Sequence, residues 1–271
     1  MLTSTALVSL LLLSASDRPL SAYDQITEAF GKVVTTSQAL SKELPVLAFH
    51  EGACLLGGSI REGGKFTYTI SVKEGAEYVA VWGAYGNDTE VKIDVQDQAG
   101  KSAVSGTEEN MTVFDAKAST RYTVSVTNKG ATTFVGVALM RDGGGIKHPI
   151  TSVTKAVGRM SKLIDEGFGE GFTIGPNNAM LVGTVLPPAG TYPRTGFKST
   201  NWLALATTDG VAGDVALHGI DKDKNVVEED TSKTADLACH FVQSLEGGNV
   251  QVTNLKSKKV LVLTAYMPAK S

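Results

Sequence analysis

Val126-Thr127-Asn128 recurs as Val252-Thr253-Asn254, and each copy leads into an apolar run, Phe134 to Met140 in one and Val260 to Tyr266 in the other. Working backwards, Glu90-Val91-Lys92-Ile93 matches Asp214-Val215-Ala216-Leu217, and Tyr78-Val79-Ala80-Val81 matches Trp202-Leu203-Ala204-Leu205. Ala53-Cys54-Leu55-Leu56-Gly57 matches Ala179-Met180-Leu181-Val182-Gly183. Ile26, Phe30, Gly31, Lys32 and Val33 match Val153, Val157, Gly158, Arg159 and Met160. Solenoid repeats run to roughly 20–50 residues, so a repeat this long is a whole domain. A feature present in both copies belongs to the fold. One present in a single copy is free to serve function.

Each copy opens with a helix. Ile26, Phe30, Val33, Val34, Ser37 and Leu40 fall at three- and four-residue steps, as do Ile150, Val153, Val157, Met160 and Ile164. Ser21, three residues before Asp24, offers the first helix a cap. Gly31 and Gly158 lie inside both helices and each costs about 1 kcal/mol of propensity, which predicts a close contact on that face.

After each helix the period drops to two. Phe66, Tyr68, Ile70 and Val72 alternate with polar residues, as do Val91, Ile93 and Val95, then Tyr122, Val124 and Val126. That is the signature of antiparallel strands with one face to a core. Gly- and Asn-containing turns separate them. In the second copy Pro187-Pro188 and Pro193 imply an edge strand or a loop. The expected fold is mainly β with two helices: tandem antiparallel β-sandwich, jelly-roll-like domains, each preceded by an amphipathic helix. The expected boundaries are 23–141 and 150–271, joined by a Gly-rich linker at 142–149.

The 271 residues carry a net charge of −3 and no basic cluster, so nucleic acid is not an expected partner. Ala6 to Leu13 has the length of a signal-peptide core and is too short to span a bilayer, which points to a secreted or periplasmic protein and sets 1–22 apart. No Lys or Arg precedes that run, which leaves a disordered N-terminus as the alternative. No later segment reads as transmembrane. The two cysteines, Cys54 and Cys239, are too few for a disulfide framework and read as buried apolar residues, with a bridge between the copies open.

Glu90-Val-Lys-Ile-Asp-Val-Gln-Asp-Gln-Ala-Gly-Lys101 and Asp214-Val-Ala-Leu-His-Gly-Ile-Asp-Lys-Asp-Lys-Asn225 share one form: an acidic residue, an alternating strand, then an Asp-containing turn. With Arg121-Tyr-Thr-Val-Ser-Val126, this resembles the bacterial pre-peptidase C-terminal (PPC-like) β-sandwich domain. The usual Gly-Thr-Tyr approach of that family is replaced by Ser119-Thr120-Arg121-Tyr122 in the first copy, and Gly248-Asn249 has no Tyr in the second. The resemblance implies a secreted sandwich appended to exported enzymes, of a kind that can bind calcium or protein fibres.

Asp221, Asp223 and Asn225 place oxygen ligands at alternate positions, as a calcium loop requires. Val226 stands where an EF-hand loop has Gly, and Ser232 where it has Glu, so a solvated hairpin turn is the competing reading. Tyr78 and Trp82 share one strand face and Tyr85 lies just beyond, a platform on which sugars or a protein partner can stack. The second copy keeps an aromatic at Trp202 but has Ala206 in place of Trp82, and burial under another layer is the bland alternative. The four histidines are scattered, and neither HExxH, a nucleophile elbow, a phosphate loop nor a dinucleotide fingerprint occurs. The expected function is non-catalytic binding of a glycan or protein partner. The alternatives are a calcium-binding accessory module and a hydrolase whose site is assembled across the fold.

Overall fold

Ser21 caps the first helix in the computed structural model, which describes residues 21–270 apart from 88, 118–119, 143–149, 198–200, 209–214, 233–238 and 245. The Ser21 hydroxyl accepts from Asp24 N at 3.1 Å and donates to the Asp24 carboxylate at 2.8 Å, and helix α1 spans Ala22–Glu43. Its buried face is Ala22, Ile26, Ala29, Phe30, Val33 and Ser37, the stripe that the periodicity requires. Helix α2 (Ile150–Gly169) lies antiparallel beside it. Tyr23 N at the start of α1 donates to Asp165 Oδ1 late in α2 at 3.2 Å, while Thr154 and Val157 meet Thr27 and Val34 around a cavity of about 50 Å³.

Among the described residues the first copy continues through nine strands: β1 (Ala48–Phe49), β2 (Gly52–Ile60), β3 (Lys65–Ser71), β4 (Glu77–Ala84), β5 (Val91–Gln96), β6 (Val104–Glu108), β7 (Met111–Asp115), β8 (Arg121–Asn128) and β9 (Thr133–Arg141). The second supplies eight: β10 (Leu181–Leu186), β11 (Thr191–Thr195), β12 (Asn201–Thr208), β13 (Val215–Ile220), β14 (Val226–Ser232), β15 (Cys239–Ser244), β16 (Asn249–Asn254) and β17 (Val260–Pro268). Arg141 ends β9 and is buried, so it belongs to the sheet, while 143–149 of the expected linker lie outside the described residues.

Among the described residues the observed class is therefore mainly β with two helices, and all named strand pairs are antiparallel. The two copies also share a sheet. Its order is β15-β12-β17-β10-β2-β9-β4-β7-β6, with β1 beside β9, and it crosses from one copy to the other at the β2–β10 ladder. Both helices cover one face, over Val79, Val81, Phe134, Leu203, Leu205 and Leu263. On the other face β3-β8-β5 covers the first copy over Tyr78, Val137 and Leu139, and β11-β16-β13-β14 covers the second over Ala204, Val262 and Tyr266.

The layering accounts for two kinds of strand. β9 and β10 are buried at every residue because both faces are covered, so they read as unbroken apolar runs. β3 alternates exposed and buried because only one face meets a core. Pro193 sits in β11, which among the described strands is an edge strand paired with β16 alone, where a missing N–H costs the ladder nothing.

The repeated Val-Thr-Asn is explained by its last residue. Asn128 Nδ2 donates to Ala131 O (2.7 Å) and Gly130 O (3.1 Å), and its Oδ1 accepts from Gly130 N (3.1 Å). Asn254 Nδ2 donates to Lys258 O (2.8 Å) and Pro187 O (2.9 Å), and its Oδ1 accepts from Lys256 N (2.9 Å). Each closes a turn from inside, and the turn's backbone groups in return satisfy an amide that is fully buried.

The expected close contact at Gly31 and Gly158 is absent, since a Cβ at either would meet no atom within 4 Å. The helix presses on strand glycines instead. A Cβ at Gly83 would stand 2.4 Å from Ala29 O, and one at Gly136 would stand 3.2 Å from the Phe30 ring. Cys54 is free and buried, with its thiol against Gly183 O at 3.5 Å. Strand β15, which carries Cys239, is four strand positions from β2, roughly 19 Å at the usual spacing. That distance leaves no bridge between them.

Candidate functional site

The alternation of β4 does put Tyr78, Ala80 and Trp82 on one face, but that face turns to the three-stranded sheet and away from solvent. Tyr78 is fully buried. It stacks on Phe114 with ring centres 5.1 Å apart, meets His50 edge-on at 5.4 Å, and accepts from Lys73 N at 2.8 Å. It is a core anchor, out of a ligand's reach. Tyr85 packs with the helix-side cluster on the opposite face of the sheet. The three aromatics are thus divided among three environments.

Trp82 and Tyr85 are both half-buried, and of the two it is Trp82 that faces a cleft. One side of it packs on the sandwich core and the other lines a cleft of about 490 Å³ at the end of the first copy. The cleft wall carries Lys92, Glu108, Glu109, Asn110 and Thr112. Asn110 holds a left-handed φ of 61° in the β6–β7 turn, and its carbonyl accepts from Trp82 N at 2.9 Å. Thr112 is 1% exposed and its hydroxyl has no hydrogen-bond partner. Helix α1 fixes the rim: Lys32 Nζ donates to Ala84 O (2.8 Å) and Gly86 O (2.9 Å), and Glu28 accepts from Gly86 N at 3.1 Å. The wall therefore offers both charges, donors and acceptors around one indole.

The Asp221 turn is closed by its own carboxylate. Oδ1 accepts from Asp223 N and Asn225 N, both at 2.8 Å, and Oδ2 accepts from Asn225 Nδ2 at 3.1 Å. These bonds hold its pKa below the ordinary carboxylate value. Asp97 does the same in the first copy, accepting from Ala99 N and Lys101 N at 2.9 Å. The alternating oxygens thus reflect a duplicated turn device. Among the described residues no group of three or more His, Cys, Asp or Glu is placed to hold a metal.

A hydrolase site assembled across the fold needs a His–acid pair converging in a cleft. His218 Nδ1 lies 3.7 Å from Glu229 Oε2, but across β13 and β14 on the face turned away from the core residue Leu217. His50 is buried, and desolvation lowers its pKa to about 4, which keeps the ring neutral. His148 and the side chain of His240 lie outside the described residues.

A second pocket went unread in the sequence. Arg194, Phe197, Trp202 and Tyr266 line a cavity of about 240 Å³ in the second copy. Phe197 meets Trp202 at 5.2 Å and Tyr266 at 5.5 Å between ring centres, both edge-on. Arg194 donates to Ala179 O at 3.0 Å and lies over the Tyr68 ring at 5.0 Å, and the Tyr68 and Tyr192 hydroxyls hydrogen-bond beside it. Burial raises the Tyr266 phenol to about 12. The available signal was Tyr266 itself, a hydroxyl in an apolar run whose register places it where the first copy has Leu139.

No family model matches the chain, and no curated protein matches it. Among solved structures, it overlaps AerE from Microcystis aeruginosa over 78% of this chain and 85% of that one, at 8% identity and a TM-score of 0.22. The bacterial pirin YhhW from Escherichia coli, solved with nickel(II), overlaps over 82% and 85%, at 13% identity and 0.23. An oxalate decarboxylase variant from Bacillus subtilis overlaps over 84% and 71%, at 11% identity and 0.20. Overlaps this loose assign neither a fold family nor an activity to the chain.

Proposed function

We propose that the chain is an exported, non-catalytic binding protein that holds a sugar, free or at the end of a polysaccharide, in the Trp82 cleft. The observation that carries this reading is Trp82 itself. It is half-buried at the cleft wall, has no counterpart in the second copy, and is surrounded by the mixed donors and acceptors that a polyhydroxyl ring requires. A cleft of about 490 Å³ falls within the range of small-ligand sites. The unpartnered Thr112 hydroxyl is a bond left for a ligand to complete. Export rests on the apolar Ala6–Leu13 run and on the PPC-like resemblance. No described helix is long and apolar enough to cross a membrane.

A glycan array probed with the full chain tests the reading. Captured glycans should bind roughly tenfold more weakly, about 1.4 kcal/mol, to Trp82→Phe, which keeps most of the core contact but narrows the platform. Glu108→Gln, on the exposed wall, should weaken capture while leaving the melting temperature in place. An array without a hit, or capture indifferent to both variants, sinks the proposal.

A further inference from the structure

We infer that the second copy holds a separate site for a small aromatic carboxylate, bound between Phe197, Trp202 and Tyr266 with its carboxylate on Arg194. The pocket is independent of the Trp82 cleft, since the two share no lining residue. Its shape suits one ring: an apolar cavity of about 150 Å³ accepts benzene, and here about 240 Å³ leaves room for a carboxylate as well. The edge-on contacts of Phe197 with its two neighbours set flat walls at steep angles, the arrangement into which another ring packs.

Two polar groups give the pocket its chemistry. Arg194 has no carboxylate partner among the described residues, and its one hydrogen bond to Ala179 O and its stacking on Tyr68 pin the guanidinium plane while leaving donors for a bidentate anion. Tyr266 is 4% exposed and its hydroxyl makes no hydrogen bond of ordinary geometry, while the Thr264 hydroxyl near it donates to Val182 O at 3.2 Å. A buried hydroxyl without a partner is a penalty that a ligand oxygen removes. The first copy has neither group. The ladders to β8 and β16 place Tyr68 where the second copy has Arg194, and Leu139 stands for Tyr266. What both copies need for folding is present in both, whereas this polar pair is in one.

Saturation-transfer NMR on the full chain, with benzoate, phenylacetate and indole-3-carboxylate as probes and benzamide as the uncharged control, tests the inference. At least one carboxylate should bind saturably and at least tenfold tighter than benzamide. Arg194→Gln should weaken it tenfold or more. Tyr266→Phe, which keeps the ring and so the fold, should weaken it severalfold without lowering the melting temperature. Benzamide binding as well as benzoate, Arg194→Gln binding like the parent chain, or no saturation by any probe up to roughly 10 mM would each overturn it.

Discussion

Leu56 and Val182, equivalent residues of the two copies, face each other directly across the β2–β10 ladder. On either side of them Gly57 pairs with Leu181 and Leu55 with Gly183, so exchanging the copies exchanges one pair for the other. This is the self-complementary contact of a twofold dimer, made within one chain. The helix layer repeats it, with Thr27 and Phe30 meeting their equivalents Thr154 and Val157. Leu56 and Val182 share the sandwich side of the sheet, so their volumes compete for one space. Leu56→Val should cost about 1 kcal/mol, and Val182→Leu about 1–3 kcal/mol through overpacking. The double exchange restores the volume and should cost at least about 0.5 kcal/mol less than the sum. Urea unfolding of the four proteins measures this, and strict additivity would show that the two side chains do not meet.

The glycines divide into two groups with opposite expected effects. Gly31→Ala and Gly158→Ala should each raise stability by about 1 kcal/mol, because the sites are helical and an added Cβ meets nothing within 4 Å. In a chain of this size that corresponds to roughly 2–4 °C in melting temperature per site. Gly83→Ala should lower stability by about 1–3 kcal/mol or more, since the new methyl would be driven onto backbone atoms of α1. Calorimetry on the three variants decides both halves of the claim.

The contrast also marks what was legible in the sequence. Periodicity placed both helix faces, because Ile26 and Phe30 or Met160 and Ile164 are apolar for one reason only, burial on the sheet. It could not say that Gly57, Gly83 and Gly136 make room for α1, since a strand glycine looks the same whether it relieves a contact or marks a bend. The shared sheet was hidden too. The β2–β10 ladder is made of backbone groups that every residue carries, and β2 is apolar on both faces whatever lies beside it. Strand β14 pairs with β13 in the small sheet, whereas β6, at the same place in the first copy, pairs with β7 in the large one. No residue pattern announces that switch. At the candidate sites, the uniqueness of Trp82 was readable, but the burial of Tyr78 required knowing where Phe114 and His50 lie.

His50 makes stability depend on pH. Burial lowers its pKa from 6.5 to about 4, with Arg141 acting in the same direction and Glu51 and a backbone hydrogen bond at Ser71 opposing it. The folded state thus keeps the ring neutral where the unfolded chain protonates it. The contribution is fully present above pH 6.5 and is lost as pH falls through the unfolded value towards 4. The slope approaches about 1.4 kcal/mol per pH unit, for a total on the order of 3 kcal/mol. His50→Gln, which does not titrate, should show a flatter profile across this window, whatever its stability at pH 8. Parallel profiles for the two proteins would mean that the ring titrates normally in the fold.

Asp221 provides the test of the calcium alternative. Its oxygens are engaged by Asp223 N, Asn225 N and the Asn225 side chain, and Asp97 closes the matching turn in the same manner. A metal would have to displace these bonds, and an isolated turn supplies too few other oxygens to replace them. Millimolar calcium should therefore leave the melting temperature unchanged, while Asp221→Ala and Asp97→Ala each lower it with or without calcium. The lowered Asp221 pKa gives a second readout. A carboxylate held below its unfolded value adds stability that is complete above that value and disappears as pH falls through the folded one. The melting temperature of the parent chain should thus fall more steeply than that of Asp221→Asn below about pH 4. A calcium-induced rise that EDTA reverses and Asp221→Ala abolishes would instead make the loop a metal site.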